Sequence, residues 1–136
     1  MTLATAYWCV LIVALLPYLW ITIAKASGKH YDNRDPRGWL SRQDNPRTVR
    51  ANAAQLNSYE AFAPFAAGVV LAHLADVPAD RIAGLAIAFV ALRVLHGALY
   101  IANAHALRSA AWFGAFACVV GLLAQAALRA GNMLAP

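Results

Sequence analysis

Apolar side chains dominate four long stretches of the chain, at 3–24, 51–75, 82–102 and 109–128. Each matches the roughly 20 residues that a helix needs to cross hydrocarbon. Polar residues collect between them, most densely at 25–50, and those inside the stretches follow helical spacing. At about 100° per residue, Arg50, Asn57 and Glu60 fall within about 80° of one another on the second helix. Arg93, His96 and Tyr100 share a face within about 60° on the third. The pattern predicts an all-α integral membrane protein, a four transmembrane helix bundle in a single domain over 1–136, with helices at about 3–24, 47–75, 81–103 and 108–130.

Several residues set expectations for the connections. Pro17 removes a backbone donor and is expected to kink the first helix. Pro36 and Gly38 exclude a continuous helix through the first loop, and Asn45-Pro46 marks the turn from which Arg47 begins the second long helix. Tyr31 and Trp39 suit the headgroup layer, where an aromatic ring keeps a polar edge wet.

Composition excludes an ordinary soluble domain. With 62% apolar residues, 12% charged and a mean hydropathy of +0.55, a chain of 136 residues has more apolar side chain than one soluble core can hide. Ala24-Lys25-Ala26 resembles a cleavage site, but no positive charge precedes the first stretch and it outruns a signal peptide's apolar core, so it reads as a retained helix. The segment 25–50 carries Lys25, Lys29, Arg34, Arg37, Arg42, Arg47 and Arg50 against Asp32, Asp35 and Asp44. The positive-inside rule therefore puts this loop in the cytoplasm and both termini outside. The net charge of +5 reads as topology plus affinity for anionic lipid or an anionic ligand, and nucleic acid is not an expected partner. Cys9 and Cys118 lack any paired spacing and read as small buried hydrophobes, and His30 and His73 have no metal-ligand partner at helical spacing.

Glu60 is the chain's single glutamate, and it lies at hydrocarbon depth. A charge there costs roughly 3 kcal/mol on insertion scales, so it is expected to face the bundle interior and find a partner. Measured from the acidic turn at 76–80, Glu60 lies about 24 Å down, while Arg93 and His96 lie about 18 and 23 Å down. Asn57 and Tyr100 match at about 28 Å. One reading is an internal Glu60–Arg93 ion pair that fixes helix register, with Asn57 and Tyr100 hydrogen-bonded between helices. The other is a binding site, because Arg50, Arg108, Tyr100, Asn57 and His96 exceed what one pair requires. An anionic cofactor would then enter from the basic side while an apolar co-substrate arrives from the lipid.

The run Arg50-Ala-Asn-Ala-Ala-Gln55-Leu-Asn57-Ser-Tyr-Glu60-Ala-Phe-Ala-Pro-Phe65 resembles the second-helix signature of the MAPEG proteins, the membrane-associated proteins of eicosanoid and glutathione metabolism. Arg93-Val-Leu-His96-Gly-Ala-Leu-Tyr100, followed by Leu107-Arg108-Ser109, is similar to the pattern of the prostaglandin E synthase branch and its bacterial relatives. The resemblance implies a homotrimer, seated in a bacterial inner membrane, with glutathione between neighbouring subunits and open to the cytoplasm. It implies cofactor contacts at Arg50, Gln55, Asn57, Glu60, His96 and Tyr100, with Arg93 holding Glu60. Arg108 and Ser109 fall where the family places its thiol-activating groups. An arginine near sulfur favours thiolate, and a hydroxyl can hydrogen-bond to it.

The chain departs from the family pattern twice. Ala53 stands where many relatives have a second arginine, and Trp112 stands where the prostaglandin branch has tyrosine. The function this implies is a glutathione-dependent transferase or peroxidase acting on lipophilic electrophiles, an enzyme with Arg108 and Ser109 as catalytic groups. The alternative is a non-catalytic lipid-binding or scaffold protein on the same fold, which the missing arginine at Ala53 favours. A small transporter fits less well, because no pair of broken helices is evident.

Overall fold

The structure, a computed structural model, describes residues 1–133. Residues 134–136 of the expected domain, and with them the C-terminus, lie outside the described residues. Five helices follow in order: α1 (Leu3–Ser27), α2 (Pro36–Ser41), α3 (Pro46–Leu74), α4 (Ala79–Ile101) and α5 (His105–Met133). Three of them are long and apolar enough to cross a membrane, over Leu3–Ser27, Ala79–Ile101 and His105–Gly131. α3 has the length, but Arg47, Arg50, Asn52, Gln55, Asn57 and Glu60 in its first half dilute its apolar character. Four helices were expected, and the fifth is the short α2.

Pro36 begins α2 rather than breaking it, because a proline at the first helical position gives up only a donor that would be unpaired anyway. Asp35 caps this helix by accepting the Gly38 N–H at 2.9 Å. Trp39 is the second departure from expectation. It is 3% exposed and packed under the loop, with its indole N–H donating to the Lys29 carbonyl at 2.7 Å. Its ring occupies the space beside Gly28, where a Cβ would collide with it. Tyr31 meets Trp39 edge-on, and Lys25 sits over the Tyr31 ring at 4.3 Å. Arg34 chelates Asp32, and that guanidinium, helped by the Arg34 N–H, holds the Asp32 carboxyl below the usual carboxylate range.

The long helices begin and end for local reasons. Asn45 accepts the Arg47 N–H at 2.9 Å as the cap of α3, and its amide donates to the Ser27 carbonyl at 2.7 Å, tying α3 to the end of α1. α1 continues through Pro17 to Gly28, whose N–H closes on the Ala24 carbonyl. α3 and α4 both end with a left-handed residue, Asp76 (φ 53) and Asn103 (φ 62). In each case the following N–H returns to the last turn, Val77 to the Ala72 carbonyl and Ala104 to Leu99, both at 3.0 Å. These tight reversals make α3, α4 and α5 antiparallel neighbours.

Small residues let the helices approach closely. Ala6, Ala72, Ala86 and Ala115 share one core with Val13, Val69, Ile82 and Leu122, centred on Phe65 and Phe89, whose rings stack at 4.0 Å and 4°. At the loop end, the Trp20 indole lies against Gly97 with no room for a Cβ. Leu11, Leu15, Leu74, Phe113 and Leu128 are exposed along the outside, as suits helices that meet lipid or other chains.

Candidate functional site

The loop end of the bundle gathers the polar residues of α3, α4 and α5. α4 buries one stripe through Ile82, Ala86, Phe89, Arg93, His96 and Gly97, so helical spacing carries two polar groups inward behind the aromatic core. Arg93 is 1% exposed and His96 3%. α3 turns its smallest residues, Ala51, Ala54 and Ser58, into the bundle, which leaves Asn57 at the edge and Glu60 outside it.

That arrangement corrects two expectations. Glu60 is exposed on the single chain, and no ion pair joins it to Arg93 among the described residues. Instead, Arg93 Nη2 donates to the Asn57 carbonyl at 2.9 Å, and the Asn57 amide donates to Glu60 Oε2 at 3.2 Å. A backbone carbonyl takes one N–H of the buried guanidinium, and the carboxylate points outward. The expected hydrogen bond between Asn57 and Tyr100 is likewise not among those formed, although both side chains line one cleft.

Two clefts meet at Asn57 and Trp112. The first is polar, about 250 Å³, and is lined by Asn57, His96, Tyr100, Arg108, Ser109, Trp112 and Phe113. The second, about 200 Å³, is lined by Asn57, Glu60 and Pro64 from α3, Phe89 and Arg93 from α4, and Trp112, Phe116 and Val119 from α5. The Arg108 guanidinium rests over the Tyr100 ring at 4.3 Å, and Tyr100 meets His96 edge-on at 5.6 Å. The Asn103 reversal sets this geometry, because it starts α5 so that its first turn brings Arg108 back over the end of α4. The Ser109 hydroxyl donates to the His105 carbonyl at 3.0 Å, which leaves its oxygen lone pairs as the groups available to a ligand.

Arg50 and Gln55 lie elsewhere. Arg50 Nε donates to the Ile101 carbonyl at 3.0 Å and pins α3 to the end of α4. Gln55 opens into a third pocket of about 490 Å³ on the α1 side of α3, with Lys25, Tyr31, Arg37, Asn52 and Tyr59. Two residues apart on a helix is about 200° of rotation, so Gln55 and Asn57 face opposite ways. Sequence reasoning missed Lys25 and Tyr59 as lining residues, and singled out Trp112 only as a departure from the family pattern. The available signal for Lys25 was its place as the first cation after the apolar run of α1.

Five side-chain atoms among the described residues are buried without a hydrogen-bond partner, Trp20 Nε1 and Thr48 Oγ1 inside the packed bundle among them. Asn57 Oδ1, Arg93 Nε and His96 Nδ1 are buried and unpaired. Cations, an exposed carboxylate and hydroxyl groups on the two joined clefts suit a small zwitterionic anion next to an apolar surface. A membrane-embedded helical bundle with such a site defines the class, and the MAPEG family profile matches residues 5–128. The chain belongs to the MAPEG family, whose members are glutathione-associated membrane proteins. Comparison with curated proteins and with solved structures gives no match.

Proposed function

We propose that this protein is a glutathione-dependent transferase or peroxidase acting on lipophilic electrophiles, built as a homotrimer of four-span subunits. Bound glutathione would supply a thiol whose ionised form attacks the electrophile. The observation that carries the reading is Arg108, held over Tyr100 at 4.3 Å in a polar cleft that opens beside an apolar one. A fixed guanidinium there favours thiolate over thiol. Glu60 offers a carboxylate to an ammonium group, and Tyr100 and Ser109 bring hydroxyl groups to the same cleft as Arg108. The residues present therefore fit the cofactor.

The opposed directions of Gln55 and Asn57 support a site shared between copies. One chain cannot touch one tripeptide with both, whereas the Lys25, Gln55 and Tyr59 pocket of one subunit can complete the Asn57, Glu60 and Arg108 face of the next. That pairing also adds Lys25 as a cation to a site whose Ala53 lacks one. The basic loop, Arg50 and Arg108 lie at the same end of the bundle, which fits entry from the cytoplasmic face of a bacterial inner membrane.

Arg108→Ala is expected to abolish conjugation of chlorodinitrobenzene while leaving the assembly intact, and unchanged turnover would remove Arg108 from the chemistry. The second reading, a scaffold or lipid-binding protein, is favoured by Ala53 alone. It predicts no thermal stabilisation of the purified protein by millimolar glutathione.

A further inference from the structure

The pocket on the α1 side of α3 holds more than a tripeptide uses. Its volume is about 490 Å³, and its wall includes Lys25 from α1 and Arg37 from α2. The acids of the loop are committed elsewhere. Asp32 is taken by Arg34 at 2.8 Å and Asp35 by Arg42 at 3.5 Å, and neither Lys25 nor Arg37 has an ion pair among the described residues. Lys25 is steered instead by the Tyr31 ring, 4.3 Å from its Nζ. Tyr31 is itself fixed, by donating to Asn33 Oδ1 at 2.8 Å and by its edge contact with the buried Trp39. Two cations with uncompensated charge therefore line one cavity. Apolar surface leads away from it. Ile21, Leu40 and Leu56 line the pocket, and exposed Leu56 and Tyr59 on α3 run beside exposed Tyr18 and Leu15 on α1, with Tyr18 and Tyr59 in edge contact at 6.3 Å. A water-soluble anion would use the cations and leave that track bare.

We propose that this pocket seats the headgroup of an anionic phospholipid, with the phosphate between Lys25 and Arg37 and one acyl chain laid along the α1–α3 track past Tyr18. The depth is right for it. Lys25 stands in the last turn of a membrane-spanning helix and Arg37 in the loop beyond, where headgroups meet hydrocarbon. Phosphatidylglycerol meets the chemistry, because its phosphate charge has no ammonium beside it and its hydroxyl groups match the amides of Asn52 and Gln55. In the proposed assembly the same pocket completes the glutathione site of the next subunit, so lipid and glutathione exclude each other there. That consequence alone rests on the glutathione reading, and it makes anionic lipid a regulator of cofactor affinity.

Native mass spectrometry of the full chain, titrated in detergent with palmitoyl-oleoyl phosphatidylglycerol or the matching phosphatidylcholine, reads the seat directly. Each cation beside an anionic headgroup is worth roughly fivefold in affinity, so phosphatidylglycerol is expected to bind roughly tenfold or more tightly than phosphatidylcholine. Lys25→Gln and Arg37→Gln should each weaken it roughly fivefold. Arg47→Gln removes the same charge from an exposed residue outside the pocket and should change nothing. Equal loss in all three variants means diffuse attraction to surface charge and overturns the seat, as does no preference over phosphatidylcholine. Glycerol phosphate carries the phosphate without the chains and should not displace phosphatidylglycerol at millimolar concentration, whereas displacement overturns the lipid assignment in favour of a free phosphate. Calorimetric glutathione affinity is expected to fall several-fold from phosphatidylcholine to phosphatidylglycerol nanodiscs, and Arg37→Gln to lose that difference. If the lipid results hold while glutathione binds equally in both, or not at all, the lipid seat stands and the shared cofactor pocket fails.

Discussion

Gly97→Ala adds one methyl group where the structure has no room for it. An ideal Cβ at Gly97 lands on the Trp20 indole, and Trp20 cannot step aside, being 4% exposed and enclosed by Leu16, Ala54, Ile23, Tyr100 and Ile101. Either the indole leaves its rotamer or α1 moves away from α4. Overpacking of that kind costs about 1–3 kcal/mol. Against it, alanine is the better helix former by about 1 kcal/mol. The collision should win by a small margin, about 1 kcal/mol of net destabilisation at the middle of that range. Reversible unfolding in mixed micelles, followed by circular dichroism, measures it. The sign should change in a Trp20→Ala background, where the clash is gone and the gain in helix propensity remains. If Gly97→Ala is as stable as the parent with Trp20 present, the close α1–α4 contact, and with it the account of how α1 is held beside the site, is wrong.

Four further outcomes follow from the same geometry. Phe65→Ala removes a fully buried ring stacked on Phe89, and should cost about 3–5 kcal/mol in the same unfolding assay, whereas a loss well under 1 kcal/mol would contradict the packing. Asn103→Gly places the freer residue at φ 62, so stability should rise by up to about 1 kcal/mol with the site unchanged, and a fall would mean the Asn side chain holds the turn. Trp39→Phe deletes the donor to the Lys29 carbonyl, so amide exchange across 28–43 should speed up while the helices stay protected. The Asp32 carboxyl titrates below its ordinary range because of Arg34, so its contribution to loop order is complete above the unfolded value of about 3.9 and is lost as pH falls through the lower folded value. Carboxylate NMR should show that value return to the ordinary range in Arg34→Ala.

The long helices were legible because bilayer crossing imposes a long apolar run, and breakers such as Asn45-Pro46 and the 76–80 turn punctuate it. Helical phase also placed Arg93, His96 and Tyr100 correctly together, since all three lie on one regular helix. Phase on α3 was less informative. It grouped Asn57 with Glu60, and they do touch, but it could not say which side of that group faced inward. Alanine, serine and glycine determine that side by permitting close packing, and their small apolar signal is hard to read. The same limit hid the separation of Gln55 from Asn57, because a motif written along the chain conceals a rotation of about 200°. α2 escaped notice because proline was weighed as a breaker, whereas at a capped first turn it is neutral.

Calorimetric titration of the purified protein with glutathione, alongside Asn57→Ala and Gln55→Ala, tests the central claim most directly. Saturable binding at millimolar glutathione, weakened by each substitution although the two side chains face apart in one chain, is the predicted result. An absence of heat, or binding indifferent to both substitutions, would contradict it.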